Sequence, residues 1–442
     1  MRGRRWRRSS GARLPAVALA VRRLLPLLLL AALALGACGG GPSGPQPVSG
    51  EMEELLAEVA EVRGLEAPLD LRIGTVTPDN VAGVYLGEST ELQETVYRKW
   101  TRLYQLLGFL TGDQHMGEIE RSLTSNYAGF YSFEGILWIV TEEHGVAPKD
   151  FSPYERETVV HEMIHAIQDH HFSLSAKYQN LGWNLDGYLA FTAVIEGDAE
   201  VHTARITGNA EPTMAGTGYD FLDGPNWITD VPPAIAREFA FPYVAGVAWA
   251  REVLATQGLE GLNSYLNRPP STSLILHPEL VELGWRPDRV STLDFPGLRA
   301  SLLPLGLRAS ALGSLGEFLL LNYLLGNAPA PSDWRQDAWT QTAIEAAAGW
   351  SGDFYFLYEG IAQRVLVARV RFVSEEDARE FAEAQRAVAT EGADVVQEGI
   401  LTLATGENGV TVLLEPVGRD VIFAIGSNAE VARAAVEPLL EG

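Results

Sequence analysis

Two histidines one helical turn apart, with a glutamate directly after the first, are the residues of this chain best equipped for chemistry. They are His161-Glu162-Met163-Ile164-His165. On a helix, residues four apart lie about 40° apart around the axis, so both imidazoles can grip one divalent cation. Zinc is the usual ion for such a pair. Glu162 projects about 100° round from His161, outside the coordination plane but within reach of a water on the ion. Zinc lowers the pKa of that water to about 7. Glu162 would then take its proton as general base and return it to a leaving amine. The flanking Thr158, Val159, Val160, Met163, Ile164, Ala166 and Ile167 are uncharged, as a buried, metal-bearing helix requires.

A tetrahedral site with one open position needs a third protein ligand. The preferred candidate is Glu196, in Val194-Ile195-Glu196-Gly197-Asp198-Ala199-Glu200, on a second predicted helix. Glu200 falls on the same face four residues on, where it would orient a ligand imidazole from behind. The alternative is His171, which with His161, Glu162 and His165 has the spacing of HExxHxxGxxH. The turn-making Gly of that pattern is here Gln168, a residue that adopts such a conformation poorly. His277 and Tyr243 are candidates to stabilise an oxyanion beside the ion.

The elements that must position these groups can be read from periodicity and end signals. Ser152-Pro153-Tyr154-Glu155 combines an N-cap, a first-turn proline and a capping box, and predicts a helix to about His170. A second helix is expected from about Asp186 to Thr207, and others over 51–62 and 91–110. A strand near 69–76 and a hairpin from Gly129 to Thr141, with Ile136–Val140 buried, supply a small sheet. Helices and proline-rich loops fill 210–350. From about Trp350 the texture changes, with strands at 361–372, 410–414 and 421–425 around helices at 375–387 and 429–440. The expected organisation is α+β: a mainly helical domain with a small sheet over 51–350, then a small α+β domain over 351–442 that carries no catalytic cluster.

The N-terminus reads as an address. Eight arginines and no acid occupy residues 1–37, and Leu24–Leu35 is an apolar run of 12 residues. A membrane span needs about 20, so a signal h-region fits better. The run ends in Leu35-Gly36-Ala37-Cys38, which resembles the bacterial lipoprotein cleavage box. That resemblance implies removal of 1–37 and lipidation of Cys38, the only cysteine. Residues 38–50, rich in Gly, Pro and Ser, read as a flexible spacer. The expected location is outside the cytoplasm, tethered to the cell membrane. Net charge is −24, and near −32 without the basic leader, which argues against nucleic acid as a partner.

The paired elements also carry a family resemblance. VVHEMIHAIQDHHF followed by AVIEGDAE looks like the Glu-zincin side of the zinc metallopeptidases, where HExxH is followed by Glu-x-x-x-Asp on a second helix. Here Glu200 replaces the Asp. Together with AGFYSFEGILWIV and SLILHPEL, these stretches are similar to a poorly characterised family of prokaryotic exported metallopeptidases. The resemblance implies a zincin-like fold, one zinc per chain, a peptide or protein substrate, and endopeptidase action. In zincins an edge strand above the metal receives an extended peptide, a role expected of the Gly129–Thr141 hairpin. Two other readings are a surface binding lipoprotein on the same scaffold and a zinc hydrolase of a non-peptide bond.

Overall fold

The computed structural model describes residues 44–87, 90–142, 150–209, 218–223, 231–290, 295–407 and 409–440. Cys38 and the signal segment lie outside the described residues. The spacer expected over 38–50 does not stay free to its end: Gln46–Pro47 forms a short strand, β1, against Arg72 and Ile73. Proline is tolerated there because an edge strand needs no N–H on its open side.

Helix α1 (Glu51–Arg63) buries Met52, Leu56 and Val59, and Gly64 closes it in the left-handed conformation. After β2 (Arg72–Val76), helix α2 (Glu91–Leu106) starts in a capping box between Thr90 and Gln93. It stops short of the expected residue 110 because Gly108 takes a positive φ of 76°. Helix α3 (Met116–Thr124) leads to the hairpin β3 (Gly129–Ser132) and β4 (Ile136–Val140). The small sheet runs β1-β2-β4-β3, with β2 and β4 parallel and β3 antiparallel at the edge.

Helix α4 (Pro153–Phe172) carries the histidine pair. The Ser152 hydroxyl accepts from the Glu155 N–H, and the Glu155 carboxylate accepts from the Ser152 N–H. It runs one turn-end past the expected stop, to Ser173, whose φ of 51° breaks it. Helix α5 (Leu185–Thr207) packs on α4 and lies against α6 (Pro233–Thr256). Where α5 and α6 cross, the backbones touch. A Cβ on Gly197 would sit 2.1 Å from the Gly246 carbonyl oxygen, and one on Gly246 would sit 2.3 Å from that of Ala193. Gly197 follows Glu196 directly, so this contact fixes where the glutamate stands. Gly197→Ala should therefore cost about 1–3 kcal/mol or more by overpacking and displace Glu196, measured as a lower melting temperature with reduced metal uptake.

The C-terminal strands form one seven-stranded sheet: β5 (Arg308–Gly313), β6 (Trp350–Glu359), β7 (Arg364–Phe372), β8 (Asp394–Glu398), β9 (Leu401–Gly406), β10 (Gly409–Leu414) and β11 (Asp420–Gly426). Their order is β5-β6-β7-β11-β10-β9-β8, every neighbour antiparallel. The single strand expected over 361–372 is thus the second arm of a hairpin. Period-two alternation buries both faces. Val365 and Val367 face a cluster made with Leu298, Leu302 and helix α8 (Ala429–Leu440), whereas Leu366, Ala368 and Val370 join the core of the helical region. Helix α7 (Glu375–Thr390) contributes Phe381 to that same core. The break expected at residue 351 is therefore not a break in packing: β5 precedes it, and one buried cluster runs from Val96 to Ile425.

Candidate metal centre

His161 and His165 point from α4 toward Glu196 on α5. Their Nε2 atoms lie 3.0 Å apart, and the Oε2 of Glu196 is 3.3 Å from the first and 3.4 Å from the second. A tetrahedral zinc with ligand bonds of about 2.0–2.1 Å sets its ligand atoms roughly 3.3–3.4 Å apart. The three side chains thus offer a triangle of nearly the right edge, and among the described residues they are the group of this kind that could hold a metal ion.

Electrostatics follow from the crowding. Burial alone would depress the His165 imidazole, but the Glu196 and Glu162 carboxylates outweigh it and push it up to about 10. His161 is raised by the same contest, with Glu196 as its main partner. Burial would raise Glu196, yet the two imidazoles pull it down to about 2. A divalent cation would take over the role of those protons.

Glu162 is buried beside the triangle without contributing to it. Burial raises its pKa, countered by the imidazoles and by a hydrogen bond from the Tyr131 backbone. That contact has a topological cause. The Val140 N–H donates to the Ala128 carbonyl, so in this antiparallel pair Phe130 is bonded inward while Gly129 and Tyr131 turn their backbone groups to the open edge. Gly129 also lets β3 settle on α4, since a Cβ there would lie 2.7 Å from the Thr158 methyl.

Glu200 stands behind the triangle, its Oε1 3.5 Å from His161 Nδ1. The corresponding partner of His165 was not foreseen: Gln168, the residue that stands where HExxHxxGxxH has glycine. Its Nε2 donates to the Ile195 carbonyl and to Asp198, at 3.1 and 2.7 Å, which fixes the amide's orientation. The Gln168 Oε1 then accepts from His165 Nδ1 at 2.9 Å and leaves the Nε2 lone pair for a ligand. Asp198 is fully buried, 2.9 Å from Arg63 and 2.8 Å from His202. Burial opposes its ionisation, but Arg63 holds its carboxyl well below the usual range. The three-residue step from His165 to Gln168 was a readable signal; the Arg63 partnership, 135 positions away, was not.

Two other expectations need correction. His171 does not join the triangle: it is exposed and bonds the Glu66 carbonyl at 2.9 Å, because α4 continues straight through it. His277 lines neither cavity at the triangle; its Nε2 is 2.7 Å from the buried Glu317 carboxylate. Tyr243, in contrast, lines both. These cavities, of about 450 and 120 Å³, meet at His161 and Glu162 under Gly129.

The comparisons with known proteins bear on another part of the chain. A model described as a domain of unknown function (DUF8575) matches residues 304–435, which span the seven-stranded sheet and omit the triangle. No curated protein matches, and no solved structure does.

Proposed function

We propose that this protein is a zinc-dependent peptidase of zincin-like fold, exported and tethered through a lipid on Cys38. One observation carries the reading: two Nε2 atoms and one carboxylate oxygen converge at tetrahedral spacing, with a buried non-ligand glutamate beside them under an open strand edge. Zinc held there would act as a Lewis acid and bring the pKa of a water in the open position to about 7. Glu162 would accept a proton from the attacking water and pass it to the leaving nitrogen. The outward backbone groups of Gly129 would receive an extended substrate by strand addition, orienting its carbonyl. Tyr243, whose hydroxyl is kept protonated by burial and by the nearby carboxylates, would donate to the developing oxyanion.

The test is metal analysis joined to a broad library of quenched fluorescent peptides. One zinc per chain is expected, with cleavage lost on chelation and restored by zinc. Stoichiometric zinc without any peptide cleavage would favour a binding protein or a hydrolase of another bond. Failure to bind zinc would end the proposal. Because His165 holds its proton up to about pH 10 in the cation-free state, uptake at pH 7 must expel it. Zinc affinity should therefore rise with pH, and calorimetry in buffers of different ionisation enthalpy should detect roughly one to two protons released per ion.

A further inference from the structure

Beside the triangle lies a further cavity of about 160 Å³, which shares Tyr127, Phe239 and Tyr243 with the 450 Å³ cleft. Tyr85, Tyr127, Tyr178, Tyr243 and Glu196 line both it and the smaller cavity over the histidines, so the two adjoin at the candidate third ligand. Its far wall holds Glu120 from α3 and Glu238 from α6.

Both acids are half-buried, and neither is paired with a cation among the described residues. The Tyr104 hydroxyl donates to Glu238, 2.7 and 2.8 Å from its two oxygens. Glu120 takes no hydrogen bond from the described residues, and neither acid has a Lys, Arg or His of the described residues within ion-pair distance. Burial pushes each up to about 7, and the charge of Glu120 adds to the effect on Glu238. Nothing in the peptidase chemistry uses them. The remaining walls are aromatic, with Trp100, Tyr188 and Phe239 beside the shared tyrosines. Paired carboxylates without a cation, enclosed by ring faces, form a receptor for a guanidinium or an ammonium group.

We propose that this cavity receives the Arg or Lys side chain of a substrate residue flanking the cleaved bond, with Glu120 and Glu238 as its anionic end. The proposal rests on the peptidase reading, since the pocket adjoins the proposed zinc site through Glu196 and the shared tyrosines.

Two measurements on the full zinc-loaded chain separate the claims. In a positional-scanning library of quenched peptides, Arg or Lys should exceed norleucine by roughly 10- to 100-fold at one position beside the cleaved bond. Glu120→Gln and Glu238→Gln, each nearly isosteric, should bring that ratio toward one. Independently of turnover, n-butylguanidinium should bind by calorimetry, and either variant should weaken it about tenfold or more. Thermal melting identifies a variant that fails to fold, and the wild-type preference alone still decides. Cleavage with no basic preference and no guanidinium binding would overturn the subsite while sparing the peptidase reading. Guanidinium binding without cleavage of any peptide would support the cation pocket and sink the peptidase reading instead.

Discussion

Glu162→Gln should bind zinc as the wild type does and lose peptide hydrolysis by a factor of about 10²–10⁴, the usual contribution of a positioned general base. The substitution keeps the side chain's shape and can still accept from the Tyr131 N–H through its amide oxygen. What it removes is a group able to hold a proton and then release it. Burial raises the pKa of Glu162, which suits that duty near neutral pH. The decisive comparison is kcat/KM against zinc content in one preparation. An unchanged metal content with a collapsed rate separates proton transfer from metal holding, because Glu162 is not in the triangle. Retention of zinc-dependent cleavage at the wild-type rate would remove Glu162 from the mechanism.

Arg63→Met should give the largest loss of stability among single changes outside the triangle, about 3–5 kcal/mol, because it leaves the buried Asp198 without its cation. The sign with pH follows from the depressed pKa of Asp198. Stability from the pair is fully present above the unfolded carboxylate value of about 3.9 and is lost as pH falls through the lower folded value. The gap between variant and wild type should therefore be wide at pH 7 and shrink in acid. A second readout concerns the metal. Asp198 accepts from Gln168, and Gln168 orients His165, so zinc affinity should fall about 10- to 100-fold. Replacing both partners, Arg63→Met with Asp198→Leu, should restore much of the stability, since an apolar pair avoids the unpaired charge. It should not restore zinc affinity, because Gln168 then loses its Asp198 acceptor and keeps only the Ile195 carbonyl. Recovery of both properties together would show that the network serves folding alone.

How far these features were visible in the residue order depends on how local their causes are. Helix α4 was legible because its start is written in neighbouring side chains: the Ser152–Glu155 box and Pro153 at the first helical position. The meeting of Glu196 with the histidines was approachable because a second helical stretch sets Glu196 and Glu200 at one-turn spacing among apolar neighbours. The C-terminal sheet was read only in part. Its strand β8 has every residue exposed, so no alternation of apolar and polar positions betrays it. The role given to His277 failed because Glu317, 40 positions on, engages its ring. Nothing in the order of residues announces that Arg63 and Asp198 meet, or that helices α3 and α6 bring Glu120 and Glu238 to one cavity. Such meetings are properties of packing.

The backbone contact between Gly197 and Gly246 has a mechanical consequence. With no side chains in between, α5 and α6 have no soft layer to compress, and α4 is tied to α5 through Gln168. The floor of the cleft is therefore stiff. Its roof is the β3 edge, which rests on a small satellite cluster whose buried members are Val76, Val81 and Phe130. The β3 edge is therefore the more lightly packed side of the cleft, while its partner β4 ties the hairpin to α4 through Leu137 and Ile139.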